Sequence, residues 1–78
     1  MNFGQALTAL YQGKKVAREV WKNKGLWVEL QVPDANSKMT VQYTYLNYPD
    51  NHKHNPGAKV PWTANQMEQF AEDWYIVE

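Results

Sequence analysis

Lys22-Asn23-Lys24-Gly25 is a short basic stretch flanked by two tryptophans, Trp21 and Trp27. A turn of this composition sets backbone N–H donors beside lysine ammonium groups, a combination that can hold a phosphate. Thr63-Ala64-Asn65-Gln66 is a second anion-favouring place. It opens a predicted helix, whose first N–H groups are free and whose dipole is positive at that end. Trp62 directly precedes it. A phosphate at the helix start with a base on the indole ring suits a nucleotide, and base–aromatic stacking contributes about 1–3 kcal/mol per base. The competing assignment is plainer. Tryptophan is mostly buried in folded proteins, so Trp21 and Trp62 also fit core and interface packing. Lys22 and Lys24 likewise fit a solvated hairpin turn.

Other chemistry finds less support. Asp50, His52 and His54 lie close together and are of metal-ligand type. A metal site also needs supporting hydrogen bonds on a rigid element. The segment 47–58 is polar and offers none, so a solvated, mobile loop is expected and no metal. Ser37 is the only serine and has no nucleophile-elbow context. Neither histidine has an obvious fixed partner. Glu72 and Asp73 are sequence neighbours, so on a helix end they point apart. No pair of groups suggests an acid and a base with separated pKa values. Neither enzymatic activity nor a cofactor is expected.

The elements that must position these residues belong to one small domain of 78 residues. A core of this size rarely supplies more than about 3–5 kcal/mol, so such domains usually need a staple. With no cysteine the staple is not a disulfide, and a reducing compartment is the default. Oligomerisation remains, and eleven aromatic residues make a ready interface. Formal net charge is zero, yet residues 1–27 carry a net +4 and residues 60–78 a net −4. A neutral chain is a poor duplex binder, because non-specific binding runs on charge. A local basic cluster can still take one small anion. No apolar run approaches the roughly 20 residues that span a membrane, and the first residues lack a signal-peptide pattern.

Phe3, Ala6, Leu7 and Leu10 form one apolar face, which predicts a helix over 2–12. Asn2 and Gln5 complete a capping box, and Gly13 suits the C-terminal cap. Alternation predicts strands over 15–21 and 26–32, joined in a hairpin by the basic turn. Leu26, Val28, Leu30 and Val32 share one face; Trp27, Glu29 and Gln31 share the other. Residues 33–37 read as a turn and about 39–46 as a third strand. Thr63 and Gln66 predict the cap of a second helix, with a Trp62–Met67 staple and an apolar face of Ala64, Met67, Phe70 and Ala71. A short strand over 74–77 closes the chain. The expectation is α+β: an antiparallel sheet with two helices on one face. Its other face, with Trp27, Tyr43 or Tyr45, and Trp74 or Tyr75, is too aromatic to leave in water. A second copy is the simplest cover, which places a ligand pocket between subunits.

Phe3-Gly4-Gln5-Ala6-Leu7-Thr8-Ala9-Leu10, Gly13-Lys14-Lys15-Val16-Ala17-Arg18, and Trp21 with Lys24-Gly25-Leu26-Trp27-Val28 resemble the opening of a phage and prophage family. The family is the second-type Thoeris anti-defence proteins. The likeness continues through Ser37-Lys38-Met39-Thr40 and Tyr43-Thr44-Tyr45. It closes with Pro61-Trp62, Gln66 and Ala71-Glu72-Asp73-Trp74, and spares only about 47–58.

The resemblance implies a non-catalytic sponge, homo-oligomeric and tetrameric in the better understood cases. Such a protein would work in the cytoplasm of the infected bacterial host. It would hold intact a cyclic ADP-ribose isomer made by an immune TIR-domain enzyme, so that the Thoeris effector stays inactive. Cyclic oligonucleotide signals are the alternative cargo; a small protein-interaction module is the alternative role. Carried over by position, Trp21 and Trp62 are the base-stacking residues, and Lys24 and Gly25 the basic turn. Gln66, with Asn65 before it, offers polar contacts at the helix start, and Asp73 accepts from an adenine amino group or a ribose hydroxyl. Two positions depart from the family pattern: Lys22-Asn23 stands where relatives usually have Asn-Gly, and Asn65 where they usually have serine.

Overall fold

A computed structural model describes all 78 residues. Helix α1 spans Phe3–Tyr11, followed by strand β1 at Lys15–Arg18 and a 3-10 helix at Glu19–Lys24. Strands β2 (Trp27–Gln31), β3 (Tyr43–Asn47) and β4 (Lys59–Pro61) come next. The one-turn helix α2 (Gln66–Gln69) leads to β5 (Trp74–Val77). All pairings are antiparallel, in the order β4-β3-β2-β1-β5. The α+β class is as expected. No helix is long and apolar enough to cross a membrane.

Helix α1 begins as its sequence demands. The Asn2 side chain accepts from the Gln5 N–H at 2.8 Å, and Gln5 accepts from the Asn2 N–H at 2.9 Å. Its inner face buries Ala6, Ala9 and Leu10 against Val16 of β1, Val28 of β2 and Trp74 of β5. Register places these strand residues together: Val16 pairs with Val28, Val28 with Leu46, and Arg18 with Trp74. Paired residues share a face, so Val16, Val28, Leu46 and Trp74 all point to the α1 side.

Four expectations need correction. The strand over 15–21 stops at Arg18, and the basic turn is the end of a 3-10 helix. Trp21 therefore swings into the core, while Val20 is left 63% exposed. Glu19 and Lys22 pair at 2.8 Å, as residues three apart do in a 3-10 helix. The third strand starts at Tyr43 rather than near 39. The second helix is capped by Asn65, with Glu68 completing the box, instead of by Thr63 and Gln66. Trp62 lies before either cap, where its N–H bonds the Thr44 carbonyl at 3.0 Å and prolongs the β3–β4 pairing. Finally, only α1 lies on the sheet. Helix α2 has no buried residue, and Met67 and Phe70 are each 78% exposed.

Residues 48–58 connect β3 to β4, a strand the sequence did not reveal. Their backbone is hydrogen-bonded across the loop, with the Tyr48 N–H on the Ala58 carbonyl at 2.9 Å and the Gly57 N–H on Pro49 at 3.0 Å.

Candidate functional site

Three tryptophans and a phenylalanine meet at the edge of the core. The Trp74 ring lies 5.3 Å from Trp21, 5.9 Å from Trp62 and 5.5 Å from Phe3. Trp21 and Trp62 are 6.1 Å apart at 87°. These are edge-to-face or tilted contacts, the geometry favoured by aromatic quadrupoles. The Trp74 indole N–H is satisfied by the Glu68 carbonyl at 2.9 Å. Trp21 is buried, and its ring is taken up by Trp62 and Trp74.

Trp62 is different. It is half-buried, resting on the cluster with one side and lining an open cleft of about 490 Å³ with the other. Met39, Val41, Tyr43, Thr44, Pro61 and Thr63 also line it. Thr44 fixes the indole's backbone twice: its carbonyl accepts from the Trp62 N–H, and its hydroxyl donates to the Trp62 carbonyl at 2.8 Å.

Asn65 and Gln66 sit just beyond, at the start of α2. The Asn65 side chain accepts from the Glu68 N–H at 2.9 Å, and the Glu68 carboxylate accepts from the Asn65 N–H at 2.8 Å. The helix start thus already holds a carboxylate. Gln66 is exposed beside it.

Asp73 is committed to Arg18. The guanidinium donates through Nε to one carboxylate oxygen at 2.8 Å and through Nη2 to the other at 3.4 Å. Hydrogen bonding from Arg18 holds the Asp73 carboxyl below the usual carboxylate range. The Val20 N–H also points at this carboxylate, at 3.4 Å, so Asp73, just before β5, is tied to the end of β1 and the start of the 3-10 helix.

Lys24 and Gly25 line or adjoin a second cleft, of about 590 Å³, between the 3-10 helix and the loop 48–54. β3 rises about 3.4 Å per residue, so Thr44, at the Trp62 cleft, and Tyr48, at this one, are roughly 14 Å apart. Residues that the sequence grouped together therefore lie in two clefts, with Trp21 buried and Asp73 half-buried in its pair with Arg18.

The sheet face away from α1 holds residues that were only partly anticipated. Register places Tyr75, Ala17, Trp27, Asn47 and Lys59 in one row across it. Lys15, Glu29 and Tyr45 stand in the next row. Lys15 lies 5.3 Å from the Trp27 ring centre and Lys22 4.9 Å from that of Tyr75. Glu29 accepts from the Trp27 indole and the Asn47 amide, both at 3.0 Å, and Lys59 donates to Asn47 at 2.7 Å. Burial, then the Glu29 charge, raises the Tyr45 phenol above its ordinary pKa of 10.0. Trp27, Tyr45 and Tyr75 follow from alternation. Asn47 and Lys59 do not, because the third strand is expected to end near 46 and no strand is expected at 59–61.

The molecule is thus a small α+β domain whose functional features are clefts and an aromatic sheet face. The chain belongs to the Thoeris anti-defense 2-like domain family, whose model matches residues 1–77. A protein named Thoeris anti-defense 2, from Bacillus phage SP01, is 30% identical over 90 residues, covering 99% of this chain and 94% of that one. Family membership gives the chain an anti-defence role.

Proposed function

We propose that the protein sequesters a cyclic ADP-ribose-type signalling nucleotide and returns it unchanged. In the infected host's cytoplasm this withholds the signal from the Thoeris effector. The observation that carries the reading is the open side of Trp62. A ring fixed from behind by Trp21 and Trp74 faces a cleft of about 490 Å³. That volume is within the roughly 300–1,000 Å³ range of small-molecule sites. In a chain of an anti-defence family, such a cleft suits a base. Gln66 at the near end of α2 adds a polar contact, with Asn65 fixing the backbone there. Lys24 and Gly25 serve the phosphates. Trp21, from the core, and Asp73, through Arg18 and the Val20 N–H, act indirectly by holding Trp62 and the 3-10 helix in place.

Assembly into a homo-oligomer, with the tetramer as the form proposed, is supported by the surface. Only eight apolar residues are buried, while Val20, Met39, Val41, Met67 and Phe70 are all more than half exposed. Exposed apolar side chains of this size are the kind that a second copy can bury.

The test is incubation with lysate carrying the activated immune signal, then heat denaturation and mass spectrometry of what is released. An intact cyclic nucleotide supports sequestration. A linear or hydrolysed product means an enzyme. Nucleotide capture that survives Trp62→Ala in a correctly assembled protein sinks the stacking role.

A further inference from the structure

We infer that the cleft between the 3-10 helix and the β3–β4 loop is a binding site for a pyrophosphate-type oxyanion. It deepens the nucleotide reading above, and rests on it only for the source of the phosphates. One wall is Asn23, Lys24 and Leu26; the other runs from Tyr48 to His54. Lys24, Lys53, His52 and His54 are cations or N–H donors, and no carboxylate lines the space. Asp50, the loop's one acid, is turned away: its Oδ1 lies 3.1 Å from where a Cβ on Gly57 would stand.

The walls are built rather than accidental. Gly25 has φ +67°, and a Cβ there would meet Pro49 Cγ at 3.2 Å. The end of the 3-10 helix is therefore packed directly on the start of the loop. The loop is closed by the Tyr48–Ala58 and Gly57–Pro49 hydrogen bonds, and the His52 N–H is bound to the Pro49 carbonyl at 3.0 Å.

His52 shows which charge the cleft favours. Its Nδ1 accepts from the backbone N–H groups of Asn55, at 2.9 Å, and His54, at 3.2 Å. Nδ1 therefore carries no proton, and the neutral ring carries its proton on Nε2 as a donor. The ring stands edge-on to Tyr48, 4.8 Å between centres. A metal ion would lose Asp50 as a ligand and face the ammonium groups of Lys24 and Lys53. An oxyanion would find those ammonium groups, a fixed imidazole N–H and the amides of Asn23 and Asn51. Two lysines in the lining offer two charge-assisted contacts, one for each phosphoryl group of a pyrophosphate.

The experiment follows the histidine ring and lysine signals of the full chain by NMR at neutral pH and constant ionic strength, titrated with inorganic pyrophosphate. Saturable shifts at His52, His54 and Lys24 are expected. They should weaken by about tenfold or more in a Lys24→Gln, Lys53→Gln double variant, the loss expected when two ammonium contacts go. Both side chains are exposed, so the amide spectrum should otherwise be unchanged. Absent or non-saturable shifts, an equal response to matched chloride, or undiminished binding by the double variant would each overturn the site. ADP-ribose displacing pyrophosphate assigns the site to nucleotides; its failure to do so assigns it to free pyrophosphate, and either result upholds the anion site. Trp62→Ala should lose nucleotide capture but keep the pyrophosphate shifts, so the two readings fail separately.

Discussion

Trp21 and Trp74 meet edge to face, 5.3 Å between ring centres at 82°, although 53 positions separate them in the chain. The contact joins the 3-10 helix to the last strand and supplies the back wall on which Trp62 rests. Core packing and the candidate stacking surface are therefore one aromatic unit. Removing a ring from the inside should disturb the outside.

Trp74→Ala removes the centre of that unit. Truncating a buried tryptophan costs about 3–5 kcal/mol, comparable to everything a core of this size supplies. The variant is expected to be largely unfolded by circular dichroism. Trp74→Phe keeps most of the packing but leaves the Glu68 carbonyl without its indole donor. A lost hydrogen bond of this kind costs about 1–3 kcal/mol, read as a lower urea midpoint. A folded Trp74→Ala variant with the parent's midpoint would refute the assignment of this ring to the core.

The Asp73–Arg18 pair makes stability depend on acid. The folded-state pKa of Asp73 is depressed by hydrogen bonding from Arg18, so the carboxylate's contribution is present above its unfolded pKa. It is lost as pH falls through the lowered folded value. Asp73→Asn should flatten the stability profile on the acid side. At neutral pH it should cost about 1–2 kcal/mol, the charged hydrogen-bond value discounted because 27% of the Asp73 side chain is open to solvent. Urea midpoints at a series of pH values give the comparison. An acid limb as steep as the parent's would show that other carboxylates govern it.

Two glycines separate backbone strain from contact. Gly13 and Gly25 both have positive φ, +81° and +67°. A Cβ on Gly13 meets nothing within 4 Å, whereas one on Gly25 meets Pro49 at 3.2 Å. Gly13→Ala should cost only the left-handed strain, about 1–2 kcal/mol. Gly25→Ala should cost that and the displacement of Pro49 as well. Equal losses on urea unfolding would mean that the Pro49 contact is soft.

Much of this architecture was legible from local rules. Asn2 and Gln5 announced α1, and Ala6 and Leu10 fixed its inner face. Alternation gave β2 and the pairing of Val28 with the core. The same rule failed at Val16 to Trp21, where alternation continues but the chain turns into a 3-10 helix. No local rule shows that Trp21 gains more from burial against Trp74 than Val20 loses by exposure. Around α2 two capping boxes competed, Thr63 with Gln66 and Asn65 with Glu68. The structure uses the second, and the spacing of the residues alone does not rank the two. Blindness to pairing hid β4, three residues long and ending in Pro61. The candidate site suffered most, because its two clefts depend on which end of β3 each residue reaches.

Asn47 shows how a residue in a presumed loop can govern a sheet face. It is 1% exposed, and its side chain both donates to Glu29 and accepts from Lys59. Asn47→Leu fills similar space but leaves the Glu29 carboxylate short of a donor and the Lys59 ammonium without its acceptor. Unpaired groups of this kind cost about 1–3 kcal/mol, more where they are charged. The expected result is a lower urea midpoint, with Glu29→Gln partly restoring it by removing the charge left in need of a partner. Tyr45 supplies an independent signal. Burial and then Glu29 raise its pKa, so it should ionise later than an ordinary tyrosine. Glu29→Gln should bring that ionisation to lower pH while leaving the burial contribution, as read from tyrosine ring NMR shifts in alkali. A Tyr45 titration unmoved by Glu29→Gln would separate the two residues and break the network into independent pairs.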